Sequence, residues 1–216
     1  MTSPTPPAEP TYADRIFRSS AGIAGGVLLL LLLCWFGGDA LIRGYGRTPW
    51  LTVAGLLTAV PLVVAFSLRP AVFVNERRIR IRNPFRTITL PWTEVADLRA
   101  GYSSELFTED GTKYQLWSVP VSLRQRKKAA RQQARDSASD PSGRTSATVD
   151  VRDSKPRMAT ADRTVAELRE LAERAKADRE VSSEAPGAPG SVRWAYEVIA
   201  PAVVGAVLLA VLLATG

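Results

Sequence analysis

Three long apolar runs constrain this chain more than anything else in it. Ala21 to Gly38 and Trp50 to Leu68 contain no Asp, Glu, Lys or Arg, and Trp194 to Ala214 contains only Glu197, near its start. Each is close to the ~20 residues that a helix needs to cross a hydrocarbon core about 30 Å thick. In lipid, where water cannot satisfy the backbone, such a run must be helical. A secretory signal has an apolar core of only about 7 to 15 residues and a cleavage site lined with small residues. The first run is longer, no such site closes it and a second run follows at once, so it reads as an uncleaved span.

Orientation follows from Lys and Arg beside the spans, because positively charged short loops stay in the cytoplasm. Arg15 and Arg18 precede the first run, and Arg43 and Arg47 lie between the first two, so these flanks nearly balance. Arg69, Arg77, Arg78, Arg80, Arg82 and Arg86 follow the second run, and Arg193 abuts the third. The expected protein is a multi-pass protein of the cell membrane, with the N-terminus and the segment from Arg69 to Arg193 cytoplasmic.

The rest of the composition excludes much chemistry. Lys and Arg number 28 against 21 Asp and Glu, a formal charge of +7, which points to phosphate-rich partners. There is no histidine, and Cys34 is the single cysteine. No Ser-His-Asp triad, HExxH zinc site or intrachain disulfide can be built from that inventory. No cofactor and no metal is expected.

Between Arg69 and Pro120 the pattern turns to period two, the mark of half-buried strands. Ala71 to Asn75, Arg78 to Arg82, Thr87 to Leu90, Val95 to Ala100, Tyr102 to Thr108 and Lys113 to Val119 read as about six strands, with an Asp110-Gly111 hairpin turn. A tight turn at Pro84 and Phe85 sets Arg82 opposite Thr87, Arg80 opposite Thr89, Ile81 opposite Ile88 and Ile79 opposite Leu90. One face is then apolar and the other basic. A later helix, with Thr164 and Glu167 spaced as a capping box and a start as early as Thr160, carries Val165, Leu168, Leu171, Ala172 and Ala175 in one stripe, with Glu170 and Arg174 paired behind it.

These residues carry a resemblance. Arg69-Pro70 directly after two membrane helices, Val72-Phe73-Val74, Ile79 through Arg86 around Asn83-Pro84, Leu90 through Val95 around Pro91-Trp92 and the Asp110-Gly111 hairpin resemble the bacterial PH-like domain of actinobacterial membrane proteins of the low-molecular-weight protein antigen 6 type. The resemblance covers Trp50 to Pro120. It implies a strongly bent antiparallel sheet closed by a C-terminal helix and no enzymatic activity, and it transfers no site residues. The long insert before the Thr164 helix and the third span depart from the compact members.

The expected organisation is therefore membrane α plus a soluble β-rich domain. A disordered tail covers 1–19, membrane helices cover 20–38, 50–68 and 194–214, and the PH-like β domain covers 69–122. A basic helix at 123–135, a disordered insert at 136–159, a helix packed on the β domain at 160–179 and a linker at 180–192 complete it. The insert and linker are rich in Ser, Asp, Pro, Arg and Gly and bury too little to offset ordering entropy.

Two basic surfaces are candidate headgroup or partner sites: the strand arginines Arg78, Arg80, Arg82 and Arg86, and the run of Arg124, Lys127, Lys128 and Arg131. Each alternatively reads as a solvated basic face. Nucleic acid is disfavoured, because the runs lack interleaved aromatics and sit beside a bilayer. Gly22 and Gly26, with Ala202, Ala206 and Ala210, have the spacing of close helix contacts and of self-association. The function expected is non-enzymatic binding of a protein partner or anionic lipid headgroups; the alternative is an auxiliary or scaffold subunit of a membrane transport or secretion complex.

Overall fold

The computed structural model describes residues 15–121, 124, 127, 130, 131, 160–182 and 189–215. Helix α1 spans Ser20–Arg43, and Ser19 caps it by accepting a hydrogen bond from the Gly22 N–H at 3.1 Å. It runs past the expected end at Gly38, and Asp39 and Arg43, one turn apart, form an ion pair in its last turns. Helix α2, Thr48–Val63, opens with Pro49 and passes without a break into a π-helical turn, Val64–Leu68, closed by a bond from the Arg69 N–H to the Val64 carbonyl. Helix α4 spans Tyr196–Ala214. These three are long and apolar enough to cross a membrane.

Helix α2 packs against both α1 and α4. Glycines permit the approach. A Cβ on Gly205 would lie 2.6 Å from the Thr58 backbone nitrogen, and one on Gly26 would lie 2.3 Å from the Ser67 Cβ. The small residues expected to serve self-association are thus partly used inside the chain: Gly26 and Ala202 are buried, while Ala206 and Ala210 remain exposed.

Outside the helices stand two antiparallel sheets. The first has five strands in the order β1-β2-β3-β4-β8, with β1 Arg15–Phe17, β2 Ala71–Val74, β3 Arg78–Arg82, β4 Arg86–Pro91 and β8 Ser191–Trp194. The second has three, β5 Val95–Ala100, β6 Ser104–Thr108 and β7 Lys113–Gln115. The β3–β4 register pairs Arg82 with Thr87, Ile81 with Ile88, Arg80 with Thr89 and Ile79 with Leu90, as the alternation requires. Val72, Val74, Ile79, Ile81, Ile88 and Leu90 then form one buried face. Val95, Leu98 and Leu106 cover it from the second sheet, and Leu116 from the residue after β7.

Helix α3, Thr160–Ser182, completes the core. It starts at the earlier of the two expected positions and inserts Ala161, Val165, Leu168 and Ala172 into the same cluster. Arg169 ties it to the Leu98 carbonyl and to Asp97, and Glu167 meets Arg15 of β1 at 3.2 Å. Buried polar groups link the parts: the Trp92 Nε1–H donates to the Asn75 carbonyl at 2.8 Å, and the Asn83 side chain donates to the Gln115 carbonyl at 2.9 Å across the sheets.

Two strands lie where the sequence reads as tail and linker. Arg15–Phe17 pairs with β2, and Ser191–Trp194 pairs with β4, so the expected tail at 1–19 is ordered from Arg15 and the expected linker ends in a strand. Three or four residues are too few for an alternation signal; each strand is held by its neighbour in the sheet rather than by its own propensity. The expected disorder of 1–14 and 136–159 lies outside the described residues.

Candidate functional site

All three membrane-length helices meet the five-stranded sheet at one end. Strand β1 runs into α1 through Arg18 and Ser19, α2 runs into β2 through Arg69 and Pro70, and β8 runs into α4 through Ala195 alone. Links of one or two residues leave the sheet no freedom to lift away. An aromatic contact reinforces the seat: the Phe66 ring on the π-helical turn meets Phe85 of the β3–β4 hairpin at 5.3 Å and Trp117 at 5.4 Å, both edge-on.

Arg69 is the polar counterpart of that contact. Its side chain, 13% exposed, donates to the Asn83 carbonyl at 3.2 Å, to Thr87 Oγ1 at 3.3 Å and to Glu197 Oε1 at 2.6 Å. One guanidinium thus joins the end of α2, the hairpin and the first turn of α4. The five donors of arginine, fixed in a plane, allow this where a lysine could not span the same acceptors.

The outer face of the sheet at this end is basic. Residues directly opposite one another share a face, and the register sets Ala71 against Arg82, Arg82 against Thr87, and Thr87 against Arg193. Arg18 continues the row, because it follows Phe17, whose partner is Val72. The result is Arg18, Ala71, Arg82, Thr87, Arg193: three arginines separated by two small residues. Arg80 and Arg82 cover the Phe73 ring, with guanidinium carbons 4.6 and 5.3 Å from its centroid. Such stacking contributes about 0.5–1 kcal/mol at exposed sites and more where water is excluded.

Arg82 is the uncomfortable member. Its Nε is buried without a hydrogen-bond partner. Burial, and then the charges of Arg69, Arg80 and Arg18, hold its guanidinium below the usual arginine range, with Glu197 acting in the opposite sense. An unsatisfied buried donor costs about 1–3 kcal/mol, so this end of the sheet holds more positive charge than its own carboxylate compensates.

The candidates read from the sequence separate in space. Arg80 and Arg82 stand on the basic row or next to it. Arg78 shares their face but lies four residues from Arg82, roughly 13 Å further from the helices at about 3.3 Å per residue. Arg86 belongs to the opposite face, since it is adjacent to Thr87 along β4, and its guanidinium stands 5.7 Å from the Tyr114 ring. Arg124, Lys127 and Arg131 are helical and exposed, and Lys128 lies outside the described residues. Arg18, Arg69, Arg193 and Glu197 were missed as site members; their only signal was adjacency to the spans.

A concavity lies at the far end of the sheet. It measures about 310 Å³ and opens between Leu90 and Val192 on one sheet and Thr108 and Tyr114 on the other, with Glu94 and Glu109 at its rim.

The sequence comparisons agree with the fold. No curated protein and no solved structure matches the chain significantly. The family model described as "Bacterial PH domain" matches residues 69–180, just over half of the chain and the stretch from Arg69 through most of α3. Two antiparallel sheets, a closing helix inside the same core and this match together establish that the chain belongs to the bacterial PH domain family.

Proposed function

We propose that this protein is a non-enzymatic recognition module fixed on the cytoplasmic face of the cell membrane, where its basic end draws anionic lipid headgroups. The observation that carries the reading is positional: the row of Arg18, Arg82 and Arg193 stands at the end of the sheet from which all three membrane-length helices depart. Each basic residue close to an anionic leaflet contributes about 1 kcal/mol, within a Debye length of about 8 Å. On this reading Arg18, Arg82 and Arg193 stand within that range of the leaflet, and Arg78, about 13 Å further along β3, stands outside it. The cytoplasmic side is supported by the arginines flanking the helices at this end, against Arg43 and Arg47 at the other. A non-enzymatic role is supported by the family and by a composition without histidine.

The test is the lipid shell of the full chain. Nanodiscs assembled from mixed zwitterionic and anionic lipid are expected to hold an excess of anionic lipid around the wild type. Charge reversal at the two exposed ends of the row, R18E with R193E, is expected to remove the excess. A shell of bulk composition around the wild type would refute the reading.

A further inference from the structure

A diffuse basic field needs no defined geometry, yet the row has one. We infer that Arg82, flanked by Arg18 and Arg193, forms a subsite for a single phosphate oxyanion on the outer face of the five-stranded sheet; this rests on the proposed apposition of that end to the leaflet.

Several features of the row point to it. Ala71 and Thr87 alternate with the three arginines along the row; Ala71 is fully buried, and part-buried Thr87 stands between Arg82 and Arg193. Adjacent strands stand about 4.8 Å apart, which places the Arg82 and Arg193 backbones roughly 10 Å from each other, a span that two long side chains close around one tetrahedral anion. Arg82 is held over Phe73 and carries a buried Nε with no acceptor, so its guanidinium is partly desolvated and positioned from beneath. Thr87 Oγ1 accepts from Arg69, which leaves its own proton to donate toward the row. Glu197 is hydrogen-bonded to Arg69 at 2.6 Å and offsets the charge of Arg82 only in part, against the summed charges of Arg69, Arg80 and Arg18.

Phosphate is the anion that fits this set. Guanidinium forks match its oxygens in pairs, and a hydroxyl donor serves a third oxygen. The row lies one or two residues from the helix ends, the level at which the proposed apposition sets phospholipid phosphates. Two sources share the chemistry, a lipid headgroup and soluble phosphate, and the experiment separates them.

The full chain is purified from a mixed-lipid membrane and its retained lipids are counted by native mass spectrometry, for the wild type and for R82Q, R193Q and R78Q. In parallel, thermal unfolding is followed in purely zwitterionic nanodiscs with and without inorganic phosphate. One anionic lipid retained per chain, reduced about tenfold by R82Q and by R193Q and untouched by R78Q, supports a lipid-phosphate subsite. Stabilisation by inorganic phosphate that R82Q and R193Q abolish, without a retained lipid, supports the same subsite with a soluble ligand. Anionic enrichment that neither R82Q nor R193Q alters overturns the subsite while leaving the proposed function standing. A wild type with neither a preference for anionic lipid nor a response to inorganic phosphate overturns both. Because R193Q changes an exposed edge residue, it carries the test even if R82Q fails to fold.

Discussion

Replacing Arg69 by alanine tests how the PH domain is locked to its helices. The side chain is 13% exposed and bonds three elements, while its ionic partner Glu197 is 63% exposed. Hydrogen bonds from a charged donor contribute about 1.5–3 kcal/mol each, less where water can replace the lost partner. The Glu197 carboxylate is free to rehydrate, so the ion pair itself contributes only about 0–1 kcal/mol. The bonds to the Asn83 carbonyl and to Thr87 are part-buried and carry the rest. R69A is expected to cost about 2–3 kcal/mol and E197Q less than about 1 kcal/mol. At about 2–4 °C per kcal/mol for a chain of this size, R69A lowers the unfolding midpoint by roughly 4–12 °C. The assay is thermal unfolding of the full chain in micelles, followed by tryptophan fluorescence with Trp92 and Trp117 as reporters. An E197Q midpoint as low as that of R69A would mean that the ion pair, and not the sheet bonds, holds the junction.

Three further outcomes follow from the packing and electrostatics. L168A removes a fully buried side chain from α3 and is expected to cost about 2–5 kcal/mol, with faster amide exchange throughout 160–182; unchanged exchange would mean that the helix is not part of the core. G205L drives a side chain into the Thr58 backbone and is expected to lower heat resistance in detergent by about 1–3 kcal/mol, whereas G25L, where nothing lies within 4 Å, is expected to be neutral; equal effects would contradict the α2–α4 contact. The Arg99 side chain bonded to Asp97, assisted by the Leu98 N–H and the charge of Arg169, holds the Asp97 carboxyl below its ordinary range. A depressed folded value means that the stabilisation is complete above the unfolded value near pH 3.9 and is lost as pH falls through the folded value. The stability difference between wild type and D97N is therefore expected to be constant above about pH 5 and to shrink below about pH 4; a difference unchanged down to pH 2 would exclude the effect.

What was legible in the sequence depended on how far each feature reaches along the chain. The three spans are written in continuous apolar runs, and the β3–β4 register is written in a single alternation broken by Asn83-Pro84-Phe85. The stripe from Val165 to Ala172 announced a buried helix face, and the uncovered β domain upstream, with the family resemblance, supplied the surface on which it packs. Strands β1 and β8 were illegible, because a three- or four-residue edge strand is defined by its neighbour. The site was half legible. Grouping Arg86 with Arg78, Arg80 and Arg82 overlooked a consequence of the register itself: if Arg82 faces Thr87, the residue beside Thr87 must point the other way. The row Arg18, Arg82, Arg193 assembles from three distant segments, and only pairing of both edge strands brings it together.

The claim at the centre of this account is that the domain lies at the cytoplasmic leaflet with the arginine row toward the lipid. It is tested most directly by cysteine accessibility in intact bacterial cells expressing the full chain with Cys34 replaced by alanine. Tyr102, 94% exposed on the β5–β6 turn, and Tyr45, 89% exposed in the loop between α1 and α2, are replaced by cysteine one at a time. A membrane-impermeant maleimide is expected to label Y45C in intact cells and Y102C only after permeabilisation. Labelling of Y102C in intact cells would place the domain outside and contradict the account.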